Sequence, residues 1–197
     1  MSEFAAALLA GGHSRRMGTD KAFLPWQGRP LWEHQVDKLR TLAPSRLLLS
    51  CRAEQPFPLP ADVMPVPDAW PDCGPLGGVA SCLRACDAPL LLVLGIDLPL
   101  LPAEFLRDLL TEVTASRGAV VRLREFFEPL AAVYPLALLP LAGELLAAGR
   151  LAMQDFIRTG IARGALRCVD LPVEARWFTN WNSPGDTPAA ADGDPAS

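Results

Sequence analysis

The segment from Leu8 to Lys21 combines a pair of glycines with three cationic side chains. These residues are Gly11, Gly12, Arg15, Arg16 and Lys21. Glycines that follow a strand let backbone N–H groups approach phosphate oxygens, and nearby cations neutralise a polyphosphate. Neither a Walker A sequence nor a dinucleotide fingerprint is present. The segment therefore predicts a phosphate-binding loop of another kind, the alternative being an ordinary turn with solvated arginines.

Lys21 stands out because the chain has 16 arginines and only 2 lysines. The compact ammonium group of a lysine suits a point contact with one phosphate. Chance is the alternative, since a lysine-poor protein still contains a few lysines.

Asp97 is the second candidate, because it follows the apolar run Leu90–Ile96. Ligands of open α/β sheets gather at the carboxyl ends of the strands. A carboxylate in apolar surroundings is costly unless it is paired or bound to metal, and Mg²⁺ often takes one or two carboxylates plus substrate phosphates. We therefore predict that Asp97 holds Mg²⁺, the alternative being a cap of the next helix. Asp68, in a proline-rich connector, is a weaker candidate by itself.

These residues need elements to position them, and the hydrophobic pattern of the first half predicts the order β-α-β-α-β. The predicted strands are Phe4–Ala10, Arg46–Cys51 and Leu90–Ile96. One helix extends from Pro30 to Pro44 with the apolar stripe Trp32, Val36, Leu39 and Ala43, and a second carries Leu76, Val79, Leu83 and Cys86 on one face. The connector from Pro56 to Pro75 is too rich in proline to hold a regular element for long.

The second half continues the alternation of helices and strands. We predict a helix after Pro102, strands at 119–123 and 130–134, helices at 136–148 and 153–158, and a strand at 166–171. Such alternation implies an α/β fold, a three-layer sandwich with a mostly parallel sheet. Residues 1–183 are expected to form a single domain, and residues 184–197 have the composition of a disordered tail.

Composition excludes several classes of protein. Of the 197 residues 50% are hydrophobic and 20% are charged, which excludes a disordered chain. A net charge of -4 argues against non-specific binding to nucleic acid or to an anionic membrane. No apolar run reaches the roughly 18 residues of a membrane span, and the first residues lack the basic start of a signal peptide, so we expect a cytoplasmic protein. The 5 cysteines include no CxxC pair and are interpreted as reduced, mostly buried thiols.

Together the motifs resemble the nucleotidyltransferases with an LAGG-x-S-x-RMG-x-DK signature, and among them the molybdenum cofactor guanylyltransferase (MobA-like) family. The resemblance covers roughly residues 5–186. Its motifs are Leu9-Ala10-Gly11-Gly12 with Arg15-Arg16-Met17-Gly18-Thr19-Asp20-Lys21, Gly28-Arg29-Pro30-Leu31, Gly74-Pro75-Leu76, Asp97-Leu98-Pro99-Leu100-Leu101-Pro102, Glu128-Pro129-Leu130-Ala131-Ala132-Val133-Tyr134 and Phe178-Thr179-Asn180-Trp181-Asn182-Ser183-Pro184.

The resemblance implies a Rossmann-like nucleotide-binding sandwich, and a reaction that joins the GMP part of GTP to molybdopterin (the molybdenum cofactor) with release of pyrophosphate. By motif, Leu9, Ala10 and Gly11 would line the nucleotide site, with Gly12 and Arg16 beside the phosphates and Lys21 touching them. Asp68 would face the guanine or ribose, Asp97 would hold Mg²⁺, and Asn180 and Asn182 would lie toward the pterin. Arg16, Lys21 and Asp97 would carry catalysis by positioning and neutralising charge, without a protein nucleophile. Handover of the product to molybdoenzymes or their chaperones is a further expectation.

The sequence departs from the family pattern at three places. Family members often carry an asparagine after the second strand, where this chain has Ser50-Cys51-Arg52, and we expect the serine or the cysteine to take its place. The tail breaks the usual closing helix, and Trp181 stands where a smaller residue is usual. Three alternatives stay open: a CTP-dependent molybdopterin cytidylyltransferase, a sugar-phosphate nucleotidyltransferase, and a non-catalytic nucleotide-binding protein.

Overall fold

The structure is a computed structural model that describes residues 3–11, 20–52, 54–55, 57–171 and 174–179. The strands in these residues are β1 (Phe4–Leu9), β2 (Pro25–Trp26), β3 (Arg29–Pro30), β4 (Leu47–Cys51), β5 (Val63–Pro67), β6 (Leu90–Gly95), β7 (Gly118–Leu123), β8 (Phe126–Pro135) and β9 (Leu166–Val169). Seven of them form one sheet in the order β5-β4-β1-β6-β8-β7-β9, and β2 pairs with β3 in a short hairpin. Only β8 runs antiparallel to its neighbours in the large sheet. The prediction of a mostly parallel sheet is confirmed.

The helices cover both faces of this sheet. In the described residues they are α1 (Leu31–Arg40), α2 (Gly74–Ala85), α3 (Ala103–Thr111), α4 (Leu139–Ala147) and α5 (Met153–Ala162), with short 3-10 turns at Lys21–Phe23, Leu136–Leu138 and Ala175–Phe178. Helices α1 and α3 pack on one face, and α2, α4 and α5 pack on the other. The predicted three-layer α/β sandwich is therefore confirmed. None of these helices is long and apolar enough to cross a membrane.

The central strands are apolar throughout because helices cover them on both sides. In β1, Phe4, Ala6 and Leu8 face the layer of α1 and α3, whereas Ala5 and Ala7 face the opposite layer. Strand β6 alternates in the same way. From β1 the chain adds β4 and β5 on one side and then crosses to place β6 on the other. This reversal of strand order is where open α/β sheets bind ligands.

The connector from Pro56 to Pro75 contains a regular element after all, namely β5. This strand lies at the edge of the sheet and pairs only with β4. Its exposed residues include Pro65 and Pro67, and an edge strand tolerates proline because one side of its backbone needs no hydrogen-bond partner. The prediction was wrong because it weighed proline content without the position of the strand.

Helix α1 ends earlier than its apolar stripe suggested. It stops at Arg40, and Ala43 lies outside it, exposed and with a φ of 53°. Leu42 is buried instead. In contrast, α5 continues past the predicted end at Arg158 to Ala162.

Candidate functional site

The carboxyl ends of four parallel strands meet at one edge of the sheet. Hydrogen bonds join them, from the amides of Ile96, Ala10 and Asp68 to the carbonyls of Leu9, Ser50 and Cys51, at 3.1, 3.0 and 3.0 Å. Gly11 follows β1, Asp68 follows β5 and Asp97 comes two residues after β6. Because adjacent strands lie about 4.8 Å apart, Asp68 and Asp97 bracket a span of about 14 Å with Gly11 between them. The structure thus brings these three predicted residues to one edge.

The side chain of Asp97 turns back toward the end of β6. Its Oδ1 lies where a side chain on Gly95 would begin, since an added Cβ would stand 2.6 Å from it. Within the described part of the chain, no hydrogen bond or ion pair engages this carboxylate. Helix α3 begins later, after Pro102, and has no side-chain cap. Asp97 therefore does not cap α3, and the alternative considered for it is wrong.

Glu128 is a second carboxylate near Asp97, which sequence reasoning did not assign to the site. Strand β8 brings it there, because Leu94 at the end of β6 pairs with Ala131. Burial raises the pKa of Glu128 to about 7, the charge of Asp97 adds to the rise, and the amide of Leu130 acts in the opposite direction. A cation bound here would favour the ionised form of Glu128, because it would offset both the burial and the neighbouring carboxylate.

This donor set is compatible with Mg²⁺. The described residues contain no group of three or more histidine, cysteine, aspartate or glutamate side chains that could hold a metal ion. Mg²⁺, however, is commonly held by one or two carboxylates together with substrate phosphates. Asp97, with Glu128 nearby, offers that arrangement.

Asp68 is held in a turn at the other end of the edge. Its Oδ1 accepts hydrogen bonds from the amide of Trp70 at 2.9 Å and lies 3.2 Å from the hydroxyl of Ser81 in α2. Gly77 allows α2 to come this close, because a Cβ there would stand 2.8 Å from the carbonyl oxygen of Trp70. Among the described residues only Oδ1 is engaged in this way, which leaves Oδ2 for a ligand.

Lys21 begins a 3-10 turn that the side chain of Asp20 caps. The carboxylate of Asp20 accepts a hydrogen bond from the amide of Ala22 at 3.1 Å. Its other oxygen accepts bonds from Arg52, at 3.1 Å, and from the amide group of Gln55. The same Gln55 group donates to the carbonyl oxygen of Ala10 at 3.3 Å, which ties the turn to the end of β1. The turn that Lys21 begins is therefore tied to Ala10, the residue before Gly11.

Arg52, which directly follows β4, reaches the edge, whereas the side chains of Ser50 and Cys51 do not. Ser50 is 2% exposed and Cys51 5% exposed, and the hydroxyl of Ser50 lies under Gly78 of α2. The expectation that one of these two side chains replaces the family's asparagine is therefore wrong. Arg52 and Gln55 act instead on Asp20. Sequence reasoning missed both, because nothing local indicates that they meet a residue more than 30 positions earlier in the chain.

Leu9 and Ala10 lie at the carboxyl end of β1 and contribute to this edge of the sheet through backbone hydrogen bonds. The side chain of Ala10 is buried, and its N–H and carbonyl groups bond to Ser50 and Gln55. The carbonyl oxygen of Leu9 accepts a hydrogen bond from the amide of Ile96, and this bond joins β1 to β6. Four other predicted site residues lie outside the described residues, namely Gly12, Arg16, Asn180 and Asn182. The predicted tail at 184–197 lies outside them as well.

Comparison with known proteins gives a consistent family assignment. The profile of the MobA-like NTP transferase domain matches residues 6–164. A probable molybdenum cofactor guanylyltransferase of Opitutus terrae is 41% identical over 189 residues, covering 94% of this chain and 93% of that protein. A molybdenum cofactor guanylyltransferase of Pseudomonas putida is 35% identical over 180 residues, covering 90% of this chain and 92% of that protein.

Solved structures share the fold at lower identity. Molybdopterin-guanine dinucleotide biosynthesis protein A from Archaeoglobus fulgidus superposes with a TM-score of 0.71 at 22% identity, covering 93% of this chain and 94% of that one. The 2-C-methyl-D-erythritol 4-phosphate cytidylyltransferase from Thermus thermophilus gives 0.70 at 20% identity, covering 92% and 94%. Proteins named for different nucleotides thus share this architecture, so the fold by itself does not determine which nucleotide base is bound.

Proposed function

The chain belongs to the MobA-like NTP transferase family, and we propose that it transfers GMP from GTP to molybdopterin, forming molybdopterin guanine dinucleotide and releasing pyrophosphate. The observation that carries the proposal is the position of Gly11, Asp68 and Asp97 at one sheet edge, to which the turn of Lys21 is tied through Gln55. The names of relatives that are 41% and 35% identical over most of the chain support guanine as the base.

The reaction needs positioning more than covalent help from the protein. A phosphate oxygen of molybdopterin attacks the α-phosphorus of GTP, the bond from that phosphorus to the bridging oxygen breaks, and pyrophosphate leaves with the electron pair. Catalysis of such transfers comes mostly from orientation and from neutralising charge on the phosphates. In the proposal Lys21 supplies positive charge to the triphosphate, together with Arg16 and the backbone amides near Gly11 and Gly12.

The nucleoside end of GTP is assigned to the β5 side of the edge. The Oδ2 of Asp68, which no described residue engages, would accept a hydrogen bond from the ribose or the guanine, while Trp70 and Ser81 fix its Oδ1. Such a contact orients the nucleoside with its phosphates toward β1 and β6. Asn180 and Asn182 are proposed to contact the pterin of the acceptor.

Mg²⁺ is proposed as the cofactor, with Asp97 as its ligand and Glu128 nearby. When bound, it would neutralise negative charge on the triphosphate. Asp97 places its Oδ1 at the end of β6, and Glu128 adds a second carboxyl group on the neighbouring strand. The cytoplasm as the location, and delivery of the product to molybdoenzymes or their chaperones, stay predictions.

The proposal is tested by measuring nucleotide binding through thermal stability. Purified protein is heated with Mg²⁺ and, separately, GTP, CTP, ATP or UTP, each also with Lys21→Ala. A nucleotide present at 100 times its Kd adds about 2.7 kcal/mol to the free energy of unfolding. We expect a GTP-selective rise of Tm that Lys21→Ala loses and that the control Arg158→Ala, which removes an exposed cation from α5, retains. A CTP-selective rise, or none with any nucleotide, would contradict the proposal.

A further inference from the structure

The loop that carries Asp97 depends on supports from outside itself. It runs from the end of β6 at Gly95 to the start of α3, without regular structure. Two turn-like bonds inside it are long, from Leu98 to Gly95 and from Leu101 to Leu98, both 3.3 Å. Backbone hydrogen bonds are usually about 2.9–3.0 Å, so these bonds restrain the loop weakly.

Two polar side chains of α1 hold the backbone on both sides of Asp97. The amide nitrogen of Gln35 donates to the carbonyl oxygen of Gly95 at 3.2 Å. The ammonium of Lys38 donates to the carbonyl oxygen of Pro99 at 2.9 Å and to the amide oxygen of Gln35 at 2.7 Å. Gly95 and Pro99 stand two residues before and two residues after Asp97. The three bonds therefore form one clamp across the loop.

The side chains of Gln35 and Lys38 occupy positions where apolar residues could be buried at a lower cost in free energy. Gln35 is 1% exposed and shares its helix face with the buried Trp32, Val36 and Leu39. Burial lowers the pKa of Lys38 to about 8. A buried amide or ammonium costs free energy unless its hydrogen bonds are made. Packing of α1 on the sheet does not require these polar groups, whereas the loop carbonyls of Gly95 and Pro99 do use them.

An apolar contact supports the same loop from the segment that follows Lys21. Leu24, Trp26 and Leu31, in and around the β2–β3 hairpin, form a small buried cluster against Ile96 and Leu100. The amide of Leu31, the first residue of α1, bonds to the carbonyl of Leu24 at 3.0 Å. Helix α1 is thus joined both to the Lys21 segment and to the loop of Asp97.

We propose that Gln35 and Lys38 are positioning residues for the transfer reaction: by holding Gly95 and Pro99, they fix Asp97 relative to the triphosphate. The inference rests on the role proposed above for Asp97. Neither side chain has to touch a substrate, because both act through the backbone of the loop. Their effect is therefore on the orientation of Asp97 and not on the affinity for the nucleoside, which Asp68 governs at the other end of the edge.

The test compares Lys38→Met with Lys38→Arg and with Arg40→Met. Lys38→Met keeps the length of the chain but removes the donors, and Lys38→Arg restores them. Arg40→Met is the matched control, because it removes partly exposed bonds to Asp37 and Asp62 from the same helix. Two quantities are measured: amide hydrogen exchange of residues 96–101 in the protein without nucleotide, and kcat and KM for GTP.

We expect Lys38→Met to speed exchange of the loop and to lower kcat, each about tenfold, while KM for GTP changes less than about twofold. Lys38→Arg should recover most of both effects, and Arg40→Met should behave like the wild type. Unchanged exchange in folded Lys38→Met, or faster exchange with unchanged kcat, would overturn the proposal. If Lys38→Met does not fold, Gln35→Met supplies the same measurements. Failure of the wild type to transfer GMP would refute the proposed function, whereas the exchange data decide the clamp independently.

Discussion

Gly95→Ala is a one-carbon change that acts directly on Asp97. The new Cβ would stand 2.6 Å from Oδ1 of Asp97, and 3.0 and 3.1 Å from two carbons of Leu130. Non-bonded carbon contacts are comfortable at about 3.5–4.0 Å, so the carboxylate must withdraw by about 1 Å. Gly95 does not have a positive φ, so alanine introduces no backbone strain there.

The two consequences of this change have different magnitudes. Overpacking at a buried site costs about 1–3 kcal/mol, which for a chain of this size lowers Tm by about 3–9 °C and leaves the protein folded. Misplacing a catalytic group by 1 Å costs on the order of 100-fold in rate, equivalent to about 2.7 kcal/mol of transition-state stabilisation. We therefore expect kcat/KM to fall about 100-fold in a protein that still binds GTP.

Pyrophosphate release with GTP, Mg²⁺ and molybdopterin measures this loss, at a temperature well below the Tm of the variant. Gly143→Ala in α4 is the control, because an added Cβ there meets no atom within 4 Å. It should keep full activity and gain up to about 1 kcal/mol from higher helix propensity. Full activity in folded Gly95→Ala would refute the reasoning that the position of Asp97 governs the reaction.

Three further predictions follow from contacts at the sheet edge. Arg52→Ala removes an ion pair with Asp20 that is only partly buried, so it should lower stability by less than about 1 kcal/mol but raise the Kd for GTP. Isothermal titration with GTP checks this, and an unchanged Kd would contradict it. Gly77→Ala puts a Cβ 2.8 Å from a backbone oxygen beside Asp68, so it should weaken GTP binding more than it lowers kcat, and an effect on kcat alone would count against the nucleoside assignment. The pKa of Glu128 is raised in the folded state to about 7 from 4.5, so the native state binds more protons than the unfolded state between these values, and stability falls as pH rises through that window. Glu128→Gln cannot ionise, and its Tm relative to the wild type, measured without Mg²⁺, should therefore rise between pH 5 and pH 8; a difference independent of pH would refute this.

The central strands and their ends were predictable from the sequence because the signal is local. The apolar runs of β1 and β6 are buried from both faces. The first run ends before a glycine pair, and the second ends before an aspartate. From these runs alone one expects Gly11 and Asp97 at the same edge. Strand β5 escaped prediction because its prolines are tolerated only at a sheet edge, and the strand order is a property of the whole fold.

The residues that position the site could not be predicted, because they meet across long separations in the chain. Gln35 bonds to a carbonyl 60 residues later, and Gln55 bonds to Asp20, 35 residues earlier. Gln35 leaves one trace in the sequence, since an amide interrupts the apolar stripe of α1. Glu128 reaches Asp97 only because β8 runs antiparallel beside β6, a pairing that periodicity does not specify.

The most direct test of the proposed activity is to follow GMP transfer itself. Purified protein is incubated with Mg²⁺, molybdopterin and either GTP or CTP, and pyrophosphate and the dinucleotide product are quantified together. We expect equal amounts of pyrophosphate and molybdopterin guanine dinucleotide with GTP, and neither product when GTP is replaced by CTP or when molybdopterin is omitted. A cytosine dinucleotide formed from CTP in preference to GTP, or no dinucleotide from either nucleotide, would contradict it.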